Sequence, residues 1–250
     1  MRFLRTTTLA AAGSVALLVA THIGAFAAAD PYTGAGYDFS YVQCGATPPS
    51  AQFGIVGVNG GYPFTYYNNC LTSEYKAAPA GHASLYVNTG YDPSYTVVDG
   101  RHMEQDCATA STQVNATSDQ QAAWAVGCSE AERDIGYANN QSATAPAAWW
   151  LDVETANSWS TSDLSLNRYT IEGLVTRLRA STPVPIGIYS TSSQWNAITG
   201  GYQPAVDATW VATGQRAHKR ARTYCTSTSF TGAPIWLVQY VATYDHDWAC

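Results

Sequence analysis

Seven short runs of apolar, β-branched and aromatic residues recur at 37–42, 53–58, 83–87, 148–153, 185–189, 209–212 and 235–240, most of them uncharged. Continuous apolar runs of this length are the pattern of strands buried on both faces. Helical stripes fall between them. Ile171, Leu174, Val175 and Leu178 mark one face at i, i+3, i+4 and i+7. Residues 118–137 form a second predicted helix, opened by a capping box of Ser118 with Gln121 and striped by Trp124, Cys128, Ala131 and Ile135. A third ends at 74–78, closed by Pro79-Ala80-Gly81. This order predicts an α/β fold with a largely parallel sheet, and the length suits one irregular (β/α) TIM-type barrel. Residues 91–117 break the pattern and are expected to be a long loop, stapled by Cys107, overhanging the strand ends.

Residues 1–29 carry Arg2 and Arg5, then an uncharged stretch, then Ala25-Phe26-Ala27-Ala28-Ala29 before Asp30. These are the three parts of a secretory signal peptide. The stretch is too rich in Ala, Thr and Gly to serve well as a membrane anchor, and no later segment has the ~20 apolar residues a span needs. The expected mature protein is therefore secreted, one barrel domain at 30–250. Its six cysteines (Cys44, Cys70, Cys107, Cys128, Cys225 and Cys250) form an even set in an exported chain and imply disulfides. Fifteen pairings exist, and pairing neighbours gives Cys44–Cys70, Cys107–Cys128 and Cys225–Cys250. No two cysteines have the spacing of a zinc site.

The chain has 12 Lys and Arg against 18 Asp and Glu, a formal charge of −6 that becomes −8 once Arg2 and Arg5 are removed. Such a balance disfavours nucleic acid and anionic membranes as partners. Charged residues make up only 12%, whereas Trp and Tyr number 8 and 17, so the polar surface is largely neutral and suits sugars.

Three strands carry acids. Asp38 lies in the first run, and Asp152 and Glu154 stand two apart at the end of the fourth, which puts them on one face of a strand. The last run is followed by Asp245-His246-Asp247-Trp248. In a barrel the first and last strands are neighbours, so these acids can share one mouth. Paired carboxylates across a cleft are the equipment for cleaving a glycosidic bond.

Gly36 through Gln43 reads Gly, apolar, Asp, apolar, Ser, two further residues, Gln; the fourth run ends Asp-x-Glu; the last carries Trp236, Gln239 and Tyr240 before Asp247. In these three motifs, in this order, the chain resembles the family 25 glycoside hydrolases, lysozymes of the muramidase type, over nearly its whole mature length. The resemblance implies that Glu154 is the general acid and that Asp152 orients a substrate acetamido group, which itself attacks the anomeric carbon. Asp38 would tune the acid. Asp247, Asn59, Gln239, Tyr189 and Trp236 are the expected substrate contacts. The partner would be peptidoglycan or another amino-sugar glycan, bound by a monomer. No cofactor is expected, since there is no Gly-rich phosphate loop after a strand and no GxSxG elbow.

Other readings compete. The second strand ends in Gly57-Val58-Asn59-Gly60-Gly61, where the family carries a carboxylate, so a catalytically inactive barrel that binds cell-wall glycans is the main alternative. A disulfide-stabilised interaction protein without sugar specificity is a third. Asp245-His246-Asp247 reads more readily as a solvated turn than as a metal site. The basic residues Arg216, His218, Lys219, Arg220 and Arg222 read as a solvated loop. Of Trp149, Trp150, Trp159 and Trp195, at most two are expected to line a groove.

Overall fold

The computed structural model describes residues 28–250; the expected leader lies outside the described residues except for its last two positions. Strands β1 (Ala35–Phe39) and β2 (Phe53–Gly57) are followed by helix α1 (Leu71–Ala77), β3 (Ala83–Asn88), and helices α2 (Gln105–Ser111) and α3 (Ser118–Asn140). Then come β4 (Trp149–Asp152), α4 (Leu164–Ser181), β5 (Ile186–Ser190), α5 (Ser192–Thr199), β6 (Ala208–Gln215), α6 (His218–Ala221), β7 (Ile235–Val241) and β8 (Asp245–Ala249). The eight strands close into a barrel. Neighbours from β1 to β7 pair in parallel, while β8 runs antiparallel to both β7 and β1. Three residues between β7 and β8 are too few for a crossover, so a hairpin closes the ring.

The α/β barrel is thus as the sequence predicts, and it is irregular: α3 and α4 are long, whereas α5 and α6 are short. Successive residues of each strand go to opposite sides. Phe53, Ile55, Trp150, Trp210 and Leu237 pack together with Tyr32 inside the barrel. Val56, Leu85, Leu151 and Ile188 meet Ile171, Leu174 and Leu178 of α4 outside it. Inward glycines leave room for the aromatics: a Cβ on Gly36 would sit 2.1 Å from the Phe53 ring, and one on Gly187 would sit 2.1 Å from Trp150.

All three disulfides join the neighbours in sequence: Cys44–Cys70, Cys107–Cys128 and Cys225–Cys250. Three local expectations are corrected. The capping box opening α3 is Thr117 with Gln120, because the same spacing recurs one residue earlier and the Gln121 side chain instead donates to Val114 O at 2.9 Å. The segment 91–117 is not all loop, since it holds a 3-10 turn at Pro93–Thr96 and α2, whose Cys107 is bonded to α3. The predicted turn at 245–247 is strand β8. Among the described residues no helix is long and apolar enough to cross a membrane.

Candidate active site

The carboxyl ends of the parallel strands converge on a cleft of ≈ 130 Å³ lined by Asp38, Tyr86, Asp152, Glu154, Tyr189, Trp210, Gln239 and Asp245. Asp38 comes from β1, where Tyr37 and Phe39 on either side are buried and the acid faces inward by alternation. Its Oδ2 accepts from Gln239 Nε2 at 3.0 Å, and Gln239 Oε1 accepts from Tyr189 OH at 2.9 Å. Two expected contact residues thereby hold an acid as well as line the cleft.

Asp152 is the last residue of β4, is only 8% exposed, and stands beside Asn88 of β3 in register. With its amide turned so that Nδ2 faces the acid, Asn88 donates to Asp152 Oδ2 at 2.9 Å and accepts from the Gly61 backbone N–H at 3.3 Å. Asp152 Oδ1 is buried and has no hydrogen-bond partner in the protein. Glu154 lies just past the strand and is partly exposed. Gln194 of α5 donates to Glu154 Oε1 at 3.2 Å and accepts from the Thr155 N–H at 2.6 Å, while Trp159 Nε1 donates to Glu154 O at 2.8 Å. The acid is therefore held from two sides.

Burial and mutual repulsion govern the charges. Burial, then Glu154 and Asp38, push the Asp152 carboxyl well above its ordinary range. Asp38 is raised to about 7, chiefly by burial and next by Asp245, against the lowering effect of Gln239. Asp247, one layer below, is completely buried and likewise raised well above the usual carboxylate range, by burial and by Asp38. The Trp210 indole pulls the other way, although neither Asp247 oxygen has a well-formed bond from a protein donor. Keeping an acid protonated at neutral pH costs about 1.4 kcal/mol per unit. An unpaired buried carboxylate costs several kcal/mol. Asp38 and Asp247 are close enough for each carboxyl to influence the other's ionisation.

This frame has known counterparts. A family model described as lysozyme-like protein 1 matches residues 111–231. Over 53 residues the chain is 45% identical to the probable GH family 25 lysozyme 4 of Dictyostelium discoideum, a match covering 21% of this chain and 24% of that protein's length. A GH25 lysozyme from Aspergillus fumigatus superposes with a TM-score of 0.54 at 16% identity, covering 86% of this chain and 93% of that one. A muramidase from Trichobolus zukalii gives 0.52 at 14%, covering 87% and 94%. The chain is similar to glycoside hydrolase family 25 lysozymes in fold and, over part of its length, in sequence.

On this GH25-like barrel the structure brings Asp38, Asp152, Glu154, Tyr189 and Gln239 to one cleft, but not the remaining expected contacts. Trp236 stands at the amino end of β7, opposite the mouth, packed with Tyr32 and Phe53. Asn59 is buried and committed to protein: its Nδ2 donates to Asn88 O at 3.0 Å and its Oδ1 accepts from Asn88 N at 2.7 Å. Asp247 is sealed beneath Asp38, and Asp245 is the acid of β8 that reaches the cleft. His246 points away, stacking on Tyr240, so the Asp245-His246-Asp247 run does not converge on one point. The basic run is not all loop: His218, Lys219 and Arg220 lie in α6, and Arg222 just past it lies 4.8 Å over Trp248. Of the four tryptophans weighed as platforms, Trp149, Trp150 and Trp195 are core. Sequence reasoning missed Tyr86, Trp210, Asn88 and Gln194. Strand parity signals the first three, because each lies on the inward side of its strand, whereas Gln194 has no such signal.

Proposed function

We propose that this chain is an exported glycoside hydrolase that cleaves peptidoglycan or a related amino-sugar polymer, with Glu154 as general acid and Asp152 assisting. The observation that carries the reading is the meeting of Asp38, Asp152 and Glu154 in one small cleft at the carboxyl ends of the strands. Three disulfides support an oxidising, extracellular setting.

The substrate's acetamido oxygen attacks the anomeric carbon as the glycosidic C–O bond breaks, and the Glu154 proton passes to the leaving oxygen. Ionised Asp152, which lines the cleft, accepts the acetamido N–H and stabilises the positive charge that develops on the ring so formed. Water then opens that ring, with Glu154 taking the proton back. The Asp38–Asp247 pair sets how much negative charge surrounds Asp152.

Release of reducing ends from purified cell walls tests this. Glu154→Gln should lower the rate about 10³-fold, within the range expected for loss of a general acid, without change in the melting midpoint. Undiminished activity in that variant refutes the assignment. Stable wall binding by the unmodified chain without any release of reducing ends selects the inactive glycan-binding barrel instead.

A further inference from the structure

The described tryptophans are almost all core, yet three tyrosines stand out in solvent: Tyr41, Tyr62 and Tyr66 are 37%, 45% and 47% exposed. All three follow the carboxyl ends of β1 and β2, at the mouth end of the barrel. Tyr41 and Tyr66 meet edge to face at 5.3 Å. Gly60 is what lets Tyr66 lie across the loop, since a Cβ there would fall 1.9 Å from its ring. The two hydroxyls converge over Gly61, each 3.8 Å from where its Cβ would be. The Gly61 N–H in turn meets Asn88, the residue that reaches Asp152. Gly61 thus lies between the Tyr41 and Tyr66 hydroxyls on one side and, through Asn88, the catalytic cleft on the other.

The rim is also rigid. Ser40 and Gln43 form a reciprocal cap on the turn that carries Tyr41, and Cys44–Cys70 ties the segments that follow β1 and β2. Phe64 holds a φ of +59° and packs against Tyr95 and His102, which pins the loop bearing Tyr62 and Tyr66. Exposed aromatics held in place lose little freedom on binding. Neither 39–43 nor 59–69 contains a charged residue, so the surface suits a neutral ligand with apolar faces and many hydroxyls.

We propose that Tyr41, Tyr62 and Tyr66 form a stacking platform for the pyranose rings of the glycan chain where it leaves the cleft. This rests on the hydrolase reading above and adds a second place of contact to it. The platform should bind long chains and make little difference to short ones.

The test is calorimetric binding of β-1,4-linked N-acetylglucosamine oligomers, a disaccharide and a hexasaccharide, to the full chain carrying Glu154→Gln. The hexasaccharide should bind more tightly than the disaccharide. Adding Tyr41→Ala and Tyr66→Ala should weaken hexasaccharide binding about tenfold, the range expected for lost aromatic contacts. Tyr41→Phe with Tyr66→Phe should restore it, which unfolding or hydroxyl loss would not. Unchanged hexasaccharide affinity in the alanine variant overturns the platform while leaving the hydrolase reading intact. If neither oligomer binds, the hydrolase reading falls and the platform with it. Self-association of the parent, lost in the alanine variant, would reassign the patch to contact between copies and overturn the proposal.

Discussion

Two groups of buried acids in this molecule share a physical state and differ in setting. At the barrel mouth, Asp38, Asp152 and Asp247 are raised above the ordinary carboxylate range chiefly by burial. On α3, Glu130 and Asp134 are raised well above it for the same reason, and they are as thoroughly enclosed, at 1% and 2% exposure. Neither Glu130 oxygen has a well-formed hydrogen bond, and Asp134 accepts from Asn59 at 3.4 Å. The α3 acids come from one helix face, four residues apart, and are packed inside the protein. The mouth acids come from strands that were far apart in sequence, and two of them open onto space a ligand can enter. A displaced acid is thus a sign of burial first. Access and convergence are what distinguish a reacting group from a packed one.

The largest effect that would sharpen this contrast is on turnover. Asp152→Asn should lower kcat about 10²- to 10³-fold, because an amide cannot balance the charge that develops on the substrate. Glu130→Gln should leave kcat within about twofold in the same reducing-end assay. Equal losses in both variants would erase the distinction.

A smaller effect should appear in the pH profile. The charge of Asp38 raises Asp152, so Asp38→Asn removes that repulsion and lets Asp152 ionise more readily. The acid limb of kcat/KM should move toward lower pH, as read from initial rates across the acidic and neutral range. A limb that stays in place would mean that the two carboxyls act independently.

The smallest effect is on stability. Unfolded, Glu130 and Asp134 titrate near 4.5 and 3.8, whereas folded they hold their protons to higher pH. Above those unfolded values, and until the folded groups ionise, the folded chain binds protons that the unfolded chain has lost, so stability falls as pH rises through that window, by at most about 1.4 kcal/mol per pH unit and group. Glu130→Gln with Asp134→Asn should flatten this slope in urea titrations repeated at several pH values. An unchanged slope would show that the α3 pair is ionised in the fold.

The two regions are linked by amides. Asn59 bridges Asp134 to the Asn88 backbone, and Asn88 reaches Asp152. None of this is legible in the sequence, where Asn59 reads as a substrate contact in place of a missing carboxylate. A polar residue at a strand end satisfies ligand or protein according to what packs against it. Trp236 failed for another reason: an apolar run does not say which of its ends lies at the mouth, and only the common direction of β1 to β7 places Trp236 at the far side. Strand β8 was hidden because Asp245 and Asp247 occupy its inward positions, where an apolar pattern was expected.

The first seven strands, helices α1, α3 and α4 among them, and the acids of β1 and β4 were readable from the chain alone, because buried parallel strands and amphipathic helices have one-dimensional periods; for the six cysteines the chain favoured neighbours without fixing the pairing. Which acids share a cleft and which are only packed was decided by closure of the barrel. Ring closure sets β8 against β1 and excludes water from chosen carboxyls, and both distance and solvation are properties of three dimensions.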